Sequence, residues 1–103
     1  MLQGSPLIGW AGRFFHSQNM TFAHWEIAEG AADLHQHSHE QEEVWHIVEG
    51  EIVLIVDGER RRLSPGMAAV IPPHTAHSVT VTGPCRVIVA DYPLRLQLPG
   101  VAD

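Results

Sequence analysis

The chain has 103 residues, 45% of them apolar and 17% charged, with a formal net charge of −6 and no lysine. That length fits one domain over 1–103, able to bury roughly 60–70% of its unfolded surface. The balance excludes a disordered tract, the absence of ~18 consecutive apolar residues excludes a spanning helix, and the acidic charge argues against nucleic-acid or anionic-membrane partners.

The N-terminal run "MLQGSPLIGWAGRFF" lacks a charged leader and a long apolar stretch. No signal peptide is expected there, and a soluble cytoplasmic protein is the default expectation. "MTFAHWEIAEG" (residues 20–30) mixes aromatic and β-branched residues and stops at a glycine. "EVWHIVEG" and "EIVLIVDGE" follow, rich in valine and isoleucine. Asp57-Gly58 is a strong hairpin signal, because both turn positions want positive φ. "SPG" (Ser64 to Gly66) marks another turn. "MAAVI" is a short strand ending at Pro72-Pro73, and "HSVTVT" and "CRVIVADY" are two more, parted by Gly83-Pro84. The tail "PLRLQLPGVAD" has no clear period and is expected to wrap the surface or fray.

No segment has capped helical periodicity. Roughly seven or eight short strands with closely spaced turns predict an all-β barrel or sandwich. Its core spans about 21–92, flanked by an N-terminal strand and the C-terminal tail. "IVLIV" and "RVIVA" are apolar on both faces, and such strands need cover on both sides.

Eight histidines are many for this length. "LHQHSHEQEEVW" places His35, His37, His39 and Glu43 on odd positions, so an extended chain turns all four to one side and Glu40 and Glu42 to the other. Imidazole and carboxylate are the natural ligands of a first-row divalent ion. Downstream, "IPPHTAHSV" supplies His74 and His77, with His77 opening a strand that could lie across from Glu43. The competing reading is a surface strand with incidental histidines. Two separated motifs that agree in order and spacing weigh against it.

The chain resembles the cupin superfamily. Its first motif, H-x-H-x3-E-x6-G, is intact as His37, His39, Glu43 and Gly50. The second, P-x-G-x2-H, runs from Pro72 to His77, with His74 in place of the family glycine. "LSPGMAAVIPP" is similar to the family's PGD…IPP run, with Met67 for the acidic residue, and Val81 stands where an asparagine is common. The resemblance covers about Thr21 to Tyr92. It implies a small jelly-roll barrel, the double-stranded β-helix, holding one divalent transition metal through His37, His39, Glu43 and His77. Fe, Mn, Ni, Co, Cu and Zn are all admissible.

His35 shares the parity but lies outside the motif; it is either an additional ligand or a residue at the mouth. His74 is either a loop tip or a rim acid/base, and Tyr92 is the other catalytic candidate. Trp45, Phe22, Met67, Ile52 and Val79 are the expected pocket walls. His46 is even-numbered and should face away, toward a subunit contact. Arg60, Arg61 and Arg62 read as a solvated strand that deters edge pairing. Cys85 is alone, which excludes an internal disulfide and a four-cysteine zinc site, and reads as a small buried residue.

The expected function is metal-dependent chemistry on a small organic substrate. Dioxygenase chemistry is one form; isomerase or lyase chemistry on a sugar-derived acid is the other, since single-domain cupins of this length are similar to proteins of uronate breakdown. The alternative is a non-catalytic metal- or ligand-binding sensor module. A homodimer is expected, because small cupins pair through their outer sheets.

Overall fold

The computed structural model describes residues 2–98. Among them ten strands form: β1 (Leu2–Gly4), β2 (Trp10–His16), β3 (Thr21–Ile27), β4 (Leu34–His37), β5 (Glu42–Glu49), β6 (Ile52–Val56), β7 (Glu59–Leu63), β8 (Ala68–Ile71), β9 (His77–Val81) and β10 (Cys85–Tyr92). They build two antiparallel sheets, ordered β1-β2-β3-β10-β5-β8 and β4-β9-β6-β7. This is the jelly-roll architecture, all-β as expected from the strand and turn signals. No helix among these residues is long and apolar enough to cross a membrane.

Period-two burial sets what faces the interior. On β5, Glu43, Trp45 and Ile47 are buried while Val44, His46 and Val48 are exposed. On β10, Cys85, Val87, Val89 and Asp91 point in. On β3, Thr21, Ala23, Trp25 and Ile27 do the same. The core between the sheets is headed by Ile47, Ile52, Leu54, Leu63, Ile71 and Val87, each about 0–2% exposed. Full burial of such a side chain contributes about 1.5–3 kcal/mol.

The turns follow from the residues that make them. Asp57 and Gly58 both adopt positive φ, 50° and 79°, and close the β6–β7 hairpin with Val56 opposite Glu59. Gly50 has φ 78°, and a Cβ there would run into the carbonyl oxygen of Pro84. The motif glycine is therefore required by close backbone approach as well as by conformation.

Two strands before residue 20, β1 and β2, exceed the single flanking strand expected. Trp10, Gly12 and Phe14 alternate inward on β2, with Gly12 lying under Trp25. The both-face cover expected for "IVLIV" holds at its first three residues, Ile52, Val53 and Leu54, all buried. On β10 the outward Ile88 is 41% exposed, so within the single chain only the inner side of that strand is covered. The arginine strand β7 is a sheet edge whose cations are exposed, with Arg62 paired to Glu51 at 2.8 Å.

Candidate metal centre

The two sheets meet at the site. His37 ends β4 and lies directly opposite His77, which starts β9, so both come from the four-stranded sheet. Glu43 comes from β5 in the six-stranded sheet. His39 sits on the loop that carries the chain from one sheet to the other. The three imidazoles offer ligand nitrogens within 4.8 Å of one another. The Glu43 carboxylate reaches the same point, with Oε2 at 3.4 Å from His39 Nε2 and Oε1 at 3.5 Å from His77 Nε2.

Those separations are long for a charge-assisted hydrogen bond. They match the spacing of two ligands bound to one ion: donors ~2.1 Å from a metal, at ordinary coordination angles, stand roughly 3.0–3.4 Å apart.

The orientation of the rings is also fixed. His37 Nδ1 donates to the His35 carbonyl at 3.0 Å, His39 Nδ1 to the Gln41 carbonyl at 3.1 Å, and His77 Nδ1 to the Thr75 carbonyl at 2.8 Å. A carbonyl only accepts, so each Nδ1 carries the proton and each Nε2 keeps its lone pair for a ligand. His39 Nε2 and His77 Nε2 are buried without a hydrogen-bond partner. A buried polar atom left in that state is costly unless something fills the gap. The donor set, its tautomers and these orphaned nitrogens fit a divalent metal.

Burial is the main cause that lowers the His77 pKa, which keeps the imidazole neutral and ready to ligate. Burial pushes the Glu43 carboxyl up, but the neighbouring His39, Asp91 and Trp45 side chains outweigh it and hold it below the ordinary carboxylate range. One of those contacts is a hydrogen bond: Trp45 Nε1 donates to Glu43 Oε1 at 3.0 Å.

Beside the centre lies a cavity of about 580 Å³, whose walls include Trp10, Phe14, Trp25, Trp45, Asp91 and Arg95. Asp91 faces Glu43 across the β5–β10 ladder. Burial, then the hydrogen bond and charge of Glu43, push the Asp91 carboxyl up to about 9, with Arg95 opposing. Asp91 thus holds a proton beside an ionised Glu43. Arg95 Nη1 lies 3.6 Å from Glu43 Oε2 and 3.7 Å from Asp91 Oδ2.

The four residues of the motif are brought together. His35 is not in the cluster. Leu34 pairs with Val79 and His37 with His77, so three steps on β4 oppose two on β9. That bulge breaks the parity that aligned His35 with His37. Leu34 packs on the core, and the His35 side chain is exposed at the cavity mouth. The bulge also puts the His35 carbonyl where His37 needs an acceptor.

The other expected site residues divide. Trp45 lines the cavity. Phe22 faces outward, because Thr21 and Ala23 take the inward positions, and it stacks on Phe15 at 5.2 Å. Met67 is exposed in a turn beside Ser64. Ile52 and Val79 are buried in the core and do not line the cavity. Tyr92 has outward parity and is 54% exposed. His74 is exposed on its loop with φ 57°, the left-handed conformation that the family glycine adopts freely. Its backbone N–H donates to the His39 carbonyl at 2.7 Å, so this position supports a ligand through its main chain. Neither catalytic candidate lines the cavity.

Asp91 and Arg95 were absent from the sequence-derived set. Asp91 had a signal, since it continues the inward parity of Val87 and Val89 by one step. Arg95 had none, because the tail carries no period.

This fold and this ligand set define a cupin. The chain belongs to the cupin domain family Cupin_2, whose profile matches residues 23–91. It is similar to the structure of KdgF from a Halomonas species, at 31% identity and TM-score 0.79, over 85% of this chain and 82% of that one. An RmlC-like cupin from Shewanella frigidimarina shares the fold at TM-score 0.83 and 23% identity, over 92% and 86% of the two chains. An uncharacterised protein of Methanocaldococcus jannaschii is 32% identical over 62 residues, which is 58% of this chain. The chain spans about half the length of that curated relative, 49%.

Proposed function

We propose that the protein is a metal-dependent isomerase or lyase acting on a small sugar-derived acid. One observation carries this reading: the four-residue cluster opens, through His37 and Glu43, onto a cavity that also presents the Asp91 carboxyl, pushed toward its neutral form by burial and by Glu43, and the Arg95 guanidinium. The resemblance of single-domain cupins of this length to proteins of uronate breakdown supports the same class of chemistry.

A divalent ion held by His37, His39, His77 and Glu43 would supply Lewis-acid polarisation of a substrate oxygen. The remaining work falls to this chain's residues. Asp91 holds a proton at the wall of the site, placed to move it to or from a substrate carbon or oxygen. Trp45 fixes the Glu43 carboxylate and, with Phe14 and Trp25, excludes water. Such proton-transfer chemistry needs no oxidant, which sets it apart from dioxygenase chemistry at the same centre.

The test is to load the protein with each candidate metal and follow a panel of uronates and unsaturated uronates by NMR in D2O, with an oxygen electrode alongside. Conversion with deuterium incorporation and no oxygen uptake is the expected result. Stoichiometric oxygen consumption would move the assignment to the dioxygenase class, and binding without turnover to a sensor module.

We further infer that a second copy of the chain covers the outer face of the six-stranded sheet. Phe15, Val44, Val48, Val70 and Ile88 are each 38–55% exposed there. Ile88 sits between His24 and His46 on its neighbouring strands, and His24 Nε2 is buried without a partner. Five strands ~4.8 Å apart and about six residues long make a face of roughly 500 Å² in projection. With the relief of its side chains, that approaches the ~800 Å² per partner of a standard interface. Glu26, Arg86 and Glu49 form a charged row along one end, as a polar rim would.

A further inference from the structure

Arg95 lies outside both motifs and outside the ligand cluster, yet it is the one arginine or lysine among the described residues lining the cavity. Its surroundings are those of a binding group more than of a structural ion pair. Both of its ion pairs run through the same atom, Nη1, at 3.6 and 3.7 Å. A closed arginine–carboxylate fork uses two nitrogens at about 2.7–2.9 Å. Glu43 is meanwhile held by Trp45 Nε1 and aimed at the histidines. The guanidinium therefore leans on two carboxyls without closing on either. Its side chain keeps 21% of its surface accessible.

The backbone beneath it is pinned. The Arg95 N–H donates to Thr21 Oγ1 at 2.8 Å, and the Thr21 hydroxyl meets His16 Nδ1 at 2.8 Å. Thr21 is 1% exposed, so this anchor is shielded from water. An otherwise aperiodic tail is thus tied to β3 at the residue that delivers a cation to the cavity. Apolar walls around a preorganised cation strengthen its attraction for an anion.

We propose that Arg95 is the substrate-anchoring residue of this site. It takes the carboxylate of a small organic acid in a forked pair while another oxygen of the same molecule reaches the histidine–glutamate cluster, and Thr21 is its positioning residue. This rests on the proposed function and names the group by which that site selects acids over neutral sugars.

The probes are D-glucuronate and its neutral amide, D-glucuronamide, titrated by NMR into the zinc-loaded and the metal-free full chain. The wild type should bind the acid at least tenfold more tightly than the amide. Arg95→Gln should reduce that preference to within twofold. Arg95→Lys should keep an intermediate preference, because a point charge replaces the fork. Thr21→Val should lower the preference and Thr21→Ser retain it, which a merely structural threonine would not do. The ratio of acid to amide is independent of the folded fraction, and Arg95→Lys covers the case in which Arg95→Gln folds poorly. A wild type that fails to bind the acid or shows no preference for it, or an Arg95→Gln variant that keeps the full preference, overturns the assignment. Metal content of the same samples tests the proposed function separately: loss of the metal defeats that reading, while the acid preference of the metal-free chain still decides the role of Arg95.

Discussion

The two faces of the six-stranded sheet carry similar residues to opposite ends. On its inner face β5 presents Glu43, Trp45 and Ile47; on its outer face it presents Val44, His46 and Val48. β10 repeats the pattern, with Val89 and Asp91 inside and Ile88 and Tyr92 outside. Histidines stand on the outer face, as His24 and His46, without joining any ligand cluster among the described residues. What sets the clustered imidazoles apart is a carbonyl held at each Nδ1 and, for His39 and His77, the Glu43 carboxylate near Nε2. Strand parity decides which residues receive that environment, and where the ladder bulges parity misleads.

The largest expected contrast is between inner and outer histidines. His77→Ala removes a ligand and should lower metal affinity ~100-fold or more, since even supporting partners of a ligand are worth 10–100-fold. His46→Ala should stay within about twofold. Calorimetric titration of the metal-free variants checks both.

The outer face is broken in a different way. Ile88→Lys places a charge at the centre of the proposed interface and should convert a dimer to a monomer in light scattering, with metal stoichiometry unchanged. A wild type that is monomeric at every concentration would remove the dimer from the account.

His74 sharpens the comparison at the backbone level. A non-glycine residue in the left-handed region costs about 1 kcal/mol. His74→Gly should therefore raise stability by about that amount in urea unfolding and leave metal affinity intact, because the hydrogen bond from this residue to the His39 carbonyl is a main-chain one. A lost affinity would show that the exposed side chain does more than its position implies.

Asp91 gives a pH signature. Its carboxyl is raised from 3.8 to about 9 in the folded chain, so the folded state binds this proton more tightly than the unfolded one. That contribution is full below about pH 4 and is lost as pH rises toward 9. The metal-free wild type should lose stability between pH 7 and 9, and Asp91→Asn should flatten the profile there. An unchanged slope in the variant would assign the loss to another group.

Much of this was legible in the sequence, and the exceptions have physical causes. His37, His39, Glu43 and His77 were readable because ligand chemistry and spacing agree in two separated motifs. Trp45 and the outward His46 followed from the period of β5, whose ladder with β10 is regular from Glu42 to Ile47. His35 was ambiguous because the extra residue between Leu34 and His37 is a property of pairing with β9, and a single strand's parity cannot reveal it. Phe22 was misplaced because an aromatic residue was weighed by type instead of by the inward parity of Thr21 and Ala23. Arg95 was invisible because its position depends on one hydrogen bond to Thr21, 74 residues away in sequence.

The central claim is that three histidines and one glutamate hold a single divalent ion, with His35 outside the set. Titrating a divalent metal into the metal-free wild type, His35→Ala and His77→Ala tests it most directly. One ion per chain is expected for the wild type, the same for His35→Ala, and lost binding for His77→Ala. A wild type that binds no metal, or a His35→Ala variant that loses as much affinity as His77→Ala, would contradict it.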